Sequence, residues 1–199
     1  WTKVTLRGQS NHAGTTPMSM RKDPAAALFE IGAELHRIVD RVGAPQVGTI
    51  GRVELIPNLV NVVPASATFT VDVRNTNDET LVSVEREVDE LIHQVADHHG
   101  LSVETETLAR FAPVLFDDRV VEIVERSATV RGRSVRRMPS GAGHDAQMMA
   151  RVCPSAMVFT PSVRGVSHNP AELTDEDDLV AGCQVLCDVM LELSATTFE

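Results

Sequence analysis

The apolar residues of the first half of the chain follow two periods, one typical of strands and one typical of helices. Alternation of apolar and polar side chains predicts strands with one buried face. The predicted strands are residues 2–7, 46–55, 66–73 and 101–108. Apolar residues that recur every three or four positions predict two amphipathic helices. The predicted helices are residues 24–42 and 79–98.

The order of these elements is strand, helix, strand, strand, helix, strand. This order is typical of a ferredoxin-like α+β domain, in which two helices cover one face of a four-stranded antiparallel sheet. We expect the domain to occupy residues 1–112, because Phe111-Ala112-Pro113 is a natural boundary.

The pattern of residues 113–199 predicts part of an α/β domain. The predicted elements are helices over 118–131, 146–150 and 175–193 and strands over 133–138 and 156–160. The continuously apolar segment 156–160 is typical of a strand that is buried on both faces. Two strands are too few for a doubly wound sheet. We therefore expect the missing strands to precede Trp1, in a longer chain of which this one is a piece.

Composition narrows the classes of partner. Of the 199 residues, 43% are hydrophobic and 23% charged, which is ordinary for a folded globular protein. The net charge of −10 argues against nucleic acid and anionic membrane surfaces as partners. Cys183 and Cys187 are four positions apart on a predicted helix, where buried free thiols are expected and a metal pair is the alternative. Free thiols favour a cytoplasmic location.

His12 lies in a predicted loop between the first strand and a helix that starts at Pro24. Gly8 and Gly14 bracket the histidine, and Pro17 stiffens the end of the loop. A histidine in a rigid polar loop is well placed to contact a ligand. A local hydrogen-bonding role is the alternative.

Two residues of the first half have the chemistry for binding a carboxylate. Arg74 ends a predicted strand on its polar side, where a guanidinium suits bidentate capture of an anion. Asn61 lies between Pro57 and Pro64, and its amide can donate to the same anion. The alternatives are a solvated surface charge for Arg74 and an ordinary turn residue for Asn61.

Two loops of the second half carry further candidates. The glycine-rich loop 140–144 enters a helix, where backbone N–H groups can hold an anion and Asp145 is the expected cap. His144 either orients a substrate or makes a local hydrogen bond. His168 follows the buried segment 156–160, and ligand sites of α/β sheets gather at such strand ends. Its imidazole suits zinc or manganese, and an ordinary loop histidine is the alternative.

Five segments, in this order, resemble a family of two-metal amidohydrolases. They are His12-Ala13-Gly14-Thr15-Thr16-Pro17-Met18, Pro57-Asn58 with Asn61-Val62-Val63-Pro64, Asp72-Val73-Arg74, Ser140-Gly141-Ala142-Gly143-His144-Asp145-Ala146 and Ser167-His168-Asn169-Pro170-Ala171-Glu172. The family comprises N-carbamoyl-L-amino-acid hydrolases, allantoate amidohydrolases and β-ureidopropionases, within the wider aminoacylase and carboxypeptidase superfamily. The resemblance extends over the full length of the chain.

The resemblance implies a ferredoxin-like lid that forms a homodimer and is inserted into a catalytic domain with two divalent metal ions, either zinc, manganese, cobalt or nickel. It implies that His12 reaches the partner's active site and stabilises the transition state, and that His168 is the last metal ligand. The implied substrate-binding residues are Asn61, Arg74, Gly141, Ala142, Gly143 and His144. The other metal ligands and a general-base glutamate precede the lid in this family. We therefore expect this chain alone to bind no metal tightly.

The function that the resemblance implies is metal-dependent hydrolysis of the C–N bond of a ureido or carbamoyl group on a small carboxylate substrate. A metal-activated water would attack the carbon, and a histidine donor would meet the charge on the oxygen. An N-carbamoyl-L-amino acid is the expected substrate, and allantoate is the alternative. The alternative from a different functional class is that this chain is a non-catalytic dimerisation fragment, which is inactive without the upstream segment.

Overall fold

The computed structural model describes residues 1–196. The chain divides into two compact units, with the boundary between Pro113 and Val114. Among the described residues, no helix has both the length and the apolar character that crossing a membrane requires.

The first unit has a four-stranded antiparallel sheet, an additional two-stranded ladder and two long helices. Its elements are β1 (Thr2–Arg7), β2 (Asn11–His12), α1 (Pro24–Val42), β3 (Val47–Ile56), β4 (Val62–Val63), β5 (Ser66–Arg74), α2 (Asp78–His98) and β6 (Ser102–Thr107). The strand order of the sheet is β3-β5-β1-β6, and β2 pairs with β4. The four strands and two helices that the periodicity predicts are therefore present.

The alternation along β1 and β5 separates the two faces of the sheet. Val4 pairs with Phe69 and Leu6 with Ala67, and all four side chains are buried under the helices. The core of this unit has sixteen buried residues: Val4, Leu6, Ala27, Leu28, Ile31, Leu35, Ile38, Ala67, Phe69, Val71, Val84, Val88, Ile92, Val95, Ala96 and Leu101. The opposite side of the sheet, which we call the helix-free face, has Lys3 paired with Thr70 among its polar residues.

Strand β3 contains an irregularity that the sequence pattern does not reveal. Its pairing with β5 shifts between Ile50 and Val53, as in a β-bulge. Leu55 pairs with the buried Ala67, whereas Val47 pairs with Arg74 on the helix-free face. A plain alternation would have placed Val47 and Leu55 on the same face.

The second unit contains helices α3 (Asp118–Val130), α4 (Asp145–Met149) and α5 (Glu176–Ser194). In the described part of this unit, which ends at residue 196, the core cluster has four buried residues, namely Ile123, Ala128, Val185 and Val189. The predicted strands over 133–138 and 156–160 are wrong for this structure, since no strand forms within residues 114–196. A strand forms only where another strand bonds its N–H and C=O groups, and the described part of this unit provides no such neighbour.

The prediction of buried thiols is also wrong. Cys153, Cys183 and Cys187 are all free and exposed. Cys183 and Cys187 lie on α5 beside an open groove of about 440 Å³ that Leu186, Met190 and Leu191 also line. The side of α5 that carries Val185 and Val189 makes the core, and the cysteines point away from it.

Candidate functional site

His12 lies on a short ladder that prolongs the β1–β5 pair. In that pair Arg7 is opposite Ser66, and beyond it Asn11 pairs with Val63 in the β2–β4 ladder. The N–H of Ala13 donates to the carbonyl of Asn61 at 2.9 Å. This bond joins the His12 segment to the Asn61 turn, so the two candidate residues lie at the same end of the sheet.

The loop that carries His12 is closed at its base. The N–H of Gln9 donates to the carbonyl of Lys22 at 3.0 Å. At Gly8 a Cβ atom would lie 2.2 Å from the same carbonyl oxygen, so only glycine allows this close approach. Inside the loop, Arg21 donates to the carbonyls of Ala13 and Thr16. These contacts hold the loop at its base and in its interior.

The hydrogen bonds of His12 determine which ring nitrogen carries the proton. Nδ1 accepts the N–H of Gly14 at 3.0 Å, so Nδ1 has a free electron pair and no hydrogen. In a neutral imidazole the hydrogen is then on Nε2. The residue is exposed. His12 therefore presents an N–H donor, rather than an acceptor, to an external ligand.

Arg74 lies on the helix-free face at the end of β5, where Asp72 holds its guanidinium. Nε donates to Oδ1 of Asp72 at 2.9 Å, and Nη2 donates to Oδ2 at 2.6 Å. The hydrogen bond and the charge of Asp72 raise the pKa of Arg74 above its usual value, and partial burial opposes this shift. The ring of Trp1 lies on the guanidinium, with its centroid 5.5 Å from Cζ. Sequence reasoning missed the role of Asp72, although residues two apart on a strand share a face.

The structure does not bring Arg74 together with His12 and Asn61. Strand β5 begins at Ser66 and ends at Arg74, which are about 26 Å apart at about 3.3 Å per residue. Asn61 precedes Ser66 on the prolonged ladder, at the opposite end from Arg74. Within one copy of the chain, Asn61 and Arg74 therefore cannot bind the same small carboxylate.

The glycine loop of the second unit lies on the surface of that unit. Gly141, Ala142, Gly143 and His144 are all exposed. His144, and not the expected Asp145, caps α4, because its Nδ1 accepts the N–H of Ala146 at 3.0 Å. The bond leaves the Nε2–H of a neutral His144 directed at other partners, as in His12.

His168 occupies an exposed loop in the left-handed region of the backbone, with φ of 54°. Its N–H donates to Oε2 of Glu172 at 2.8 Å. Within residues 1–196, no three His, Cys, Asp or Glu side chains come close enough to hold a metal ion. The described residues therefore do not fit the predicted metal site by themselves.

Comparison with known proteins gives a consistent result. The profile of peptidase family M20/M25/M40 matches residues 8–192. An allantoate amidohydrolase of Escherichia coli (strain K12) is 38% identical over 96% of this chain and 46% of that protein. An N-carbamoyl-L-amino acid amidohydrolase of Geobacillus stearothermophilus is 35% identical over 98% of this chain and 47% of that protein.

Solved structures show the same relationship. The crystal structure of an amidase of the hydantoinase/carbamoylase family from Burkholderia vietnamiensis has a TM-score of 0.91 and 36% identity. The similarity covers 96% of this chain and 46% of that chain. The chain thus spans about half the length of the relatives that it matches.

Proposed function

This chain belongs to peptidase family M20/M25/M40, and we propose that a protein of its relatives' length that contains it is an amidohydrolase. The proposed reaction is hydrolysis of the C–N bond of a ureido group on a carboxylate substrate. The names of the relatives, allantoate amidohydrolase and N-carbamoyl-L-amino acid amidohydrolase, support this class of substrate. In the proposal the first unit is a ferredoxin-like lid and the second unit is part of the catalytic domain.

The observation that carries the proposal is the hydrogen-bonding state of His12. As water adds to the ureido carbon, negative charge grows on the ureido oxygen, and a fixed N–H donor stabilises that charge. The Nε2–H of His12 is such a donor, since Nδ1 is already occupied by the N–H of Gly14. The braces from Arg21 keep the loop in place, so little reorganisation is needed during the reaction.

The other end of the substrate is assigned to Arg74 and Asn61. The guanidinium of Arg74, fixed by Asp72, would bind the carboxylate and so position the ureido carbon. Asn61 would add an amide donor. Because these two residues lie at opposite ends of the sheet, we assign Arg74 to one copy of the chain and Asn61, with His12, to the second copy of a homodimer.

Members of this family generally use divalent metal ions. The described part of this chain brings no three ligating side chains together, so it does not provide such a site alone. We propose that His168 contributes one ligand in the longer protein. The loop Gly141–Gly143 and His144, which are in the same unit as His168, are assigned to the substrate.

Mixed dimers of the full-length protein test this arrangement directly. We expect a His12→Ala variant and an Arg74→Lys variant to recover activity towards an N-carbamoyl-L-amino acid when they are co-expressed. Each homodimer has little activity at a substrate concentration near the wild-type KM, where the mixed dimers are assayed. One site of the mixed dimer combines an intact Arg74 with the partner's intact His12, while the other site lacks both. Up to half of the wild-type activity per mixed dimer should therefore return.

The matched control is a mixed dimer of His12→Ala with Asn61→Ala. His12 and Asn61 lie at the same end of the sheet, so both sites of this dimer lack one of the two residues. No activity should return in this case. Recovery in the control pair, or none with Arg74→Lys, would contradict the division of the site between two copies. A wild-type protein that hydrolyses no ureido compound would contradict the proposed reaction itself.

A further inference from the structure

Two exposed apolar side chains flank Arg74 on the helix-free face. On one side, Val47 of β3 is paired with Arg74 and is 51% exposed. On the other side, Trp1 precedes β1, is 50% exposed and lies on the guanidinium. The carbonyl of Trp1 accepts the N–H of Leu108 at 2.7 Å, which fixes the backbone that carries the indole. The guanidinium of Arg74 thus lies at the indole of Trp1, and Val47 is the neighbour of Arg74 on the adjacent strand.

This combination is unusual for the face on which it occurs. The neighbouring positions are polar, with Lys3 paired to Glu106 and Thr5 in contact with Thr68. An exposed indole and a guanidinium can both contact a ligand, because each combines a flat surface with directed polar groups. A ligand that fits must therefore combine an anion for Arg74 with an apolar group beside it.

Starting from the proposed function, we propose that Trp1 and Val47 select N-carbamoyl-L-amino acids with apolar or aromatic side chains. In such a substrate the carboxylate and the side chain are bonded to the same carbon. A carboxylate on Arg74 therefore places the side chain against the indole of Trp1, 5.5 Å from the guanidinium carbon. Allantoate has a second ureido group at this carbon, and its N–H and C=O groups would lose water against the indole without gaining hydrogen bonds.

Steady-state kinetics of the full-length protein test the proposal with three substrates. Wild type should have its highest kcat/KM with N-carbamoyl-L-leucine, a lower value with N-carbamoylglycine and the lowest with allantoate. Trp1→Ala should lower kcat/KM for the leucine compound about ten-fold. The same change should alter kcat/KM for N-carbamoylglycine less than about two-fold, since glycine has no side chain to contact the indole. Trp1→Phe should keep most of the preference.

The matched control is Phe29→Ala. Phe29 is 68% exposed on α1, on the opposite side of the sheet from Arg74. This variant should leave all three kcat/KM values unchanged. Equal losses on the leucine and glycine substrates after Trp1→Ala would show that the indole only supports Arg74, and would overturn the proposal. A wild-type preference for allantoate would overturn it as well.

A binding measurement separates this inference from the proposed reaction. Among these 199 residues Trp1 is the only tryptophan and there is no tyrosine, so the fluorescence of the 199-residue chain reports on this position alone. N-carbamoyl-L-leucine should change the fluorescence of Trp1 in a saturable way, and Arg74→Gln should abolish the change. Absence of that change in wild type would overturn the role of Trp1. A saturable fluorescence change without any hydrolysis by the full-length protein would overturn the proposed reaction. The binding site at Trp1 would still stand.

Discussion

At the scale of single residues, a neighbouring residue determines which hydrogen-bonding group each candidate side chain presents to a ligand. Gly14 occupies Nδ1 of His12, and this leaves a donor at Nε2. Asp72 fixes the guanidinium of Arg74 and raises its pKa further above the range in which it could lose its charge. Both effects come from residues within two positions of the functional one. The local sequence therefore contains both the functional side chain and the neighbour that sets its hydrogen-bonding state.

The effect of Arg74 on substrate binding gives a residue-scale prediction. In the full-length protein, Arg74→Lys should raise KM by about 10- to 100-fold, because a compact ammonium cannot replace a planar fork. Asp72→Asn keeps the shape of its side chain and loses the charge that fixes Arg74. It should raise KM only a few-fold. Measured KM values that equal the wild-type value in both variants would remove Arg74 from the site.

At the scale of elements, the first unit could be predicted because its determinants are local. The helix α1 begins where Asp23 accepts the N–H of Ala25, and α2 begins where Asn77 accepts the N–H of Thr80. The alternation in β5 matches its buried residues. The shift in β3 could not be predicted, since it depends on which residue of β5 pairs with which residue of β3.

The arrangement of the candidate site also depends on strand pairing and could not be predicted from the sequence. The residues His12, Asn61 and Arg74 could be selected from sequence motifs, but their separation follows only from the pairing of β1 with β5 and of β2 with β4. The predicted strands over 133–138 and 156–160 failed for a related reason. Segment 156–160 has the composition of a buried strand, but composition does not provide the neighbour that a strand needs.

An ion pair between α3 and α5 gives a prediction at this scale. Arg131, the C-cap residue that follows α3, donates from Nη2 to Oδ1 of Asp188 on α5 at 2.8 Å. This hydrogen bond holds the pKa of Asp188 below its ordinary value of 3.8. A carboxylate with a lowered pKa stabilises the folded state above its unfolded pKa, and this contribution disappears as the pH falls through the folded pKa. Asp188→Asn should therefore lower the thermal unfolding temperature of the second unit at pH 6 but not near pH 2.

The effect should be small, because both side chains are about one-third exposed and salt screens such pairs. Asp40→Asn, which changes an exposed carboxylate of the first unit, is the control and should shift the second unit at neither pH. An unfolding temperature that differs equally at pH 6 and pH 2 would show that packing, and not charge, accounts for the change.

At the scale of the whole chain, the two units have very different cores. Within residues 1–196, the core cluster of the first unit has sixteen buried residues and that of the second has four. The difference follows from the number of apolar faces that each unit can cover with its own elements, since a four-stranded sheet under two helices covers a complete face. The described part of the second unit has an exposed apolar groove on α5 instead.

Hydrogen exchange of the 199-residue chain should show this difference. We expect the amides of β1 and β5 to be the most protected, and those of α3 and α5 to exchange much faster, because fewer buried contacts resist local opening. Phe69→Ala, which costs about 3–5 kcal/mol in a packed core, should accelerate exchange in the first unit only. Equal protection of both units in wild type would contradict this expectation.

The placement of His12 and Arg74 at opposite ends of the sheet has a consequence for enzyme dosage. If each site takes Arg74 from one copy and His12 with Asn61 from the other, a dissociated monomer contains all three side chains but no working site. Turnover per molecule would then depend on the total concentration and would fall as dilution passes the dissociation constant of the dimer. At low expression, doubling the amount of protein would raise the total activity nearly four-fold, because the number of dimers grows with the square of the monomer concentration.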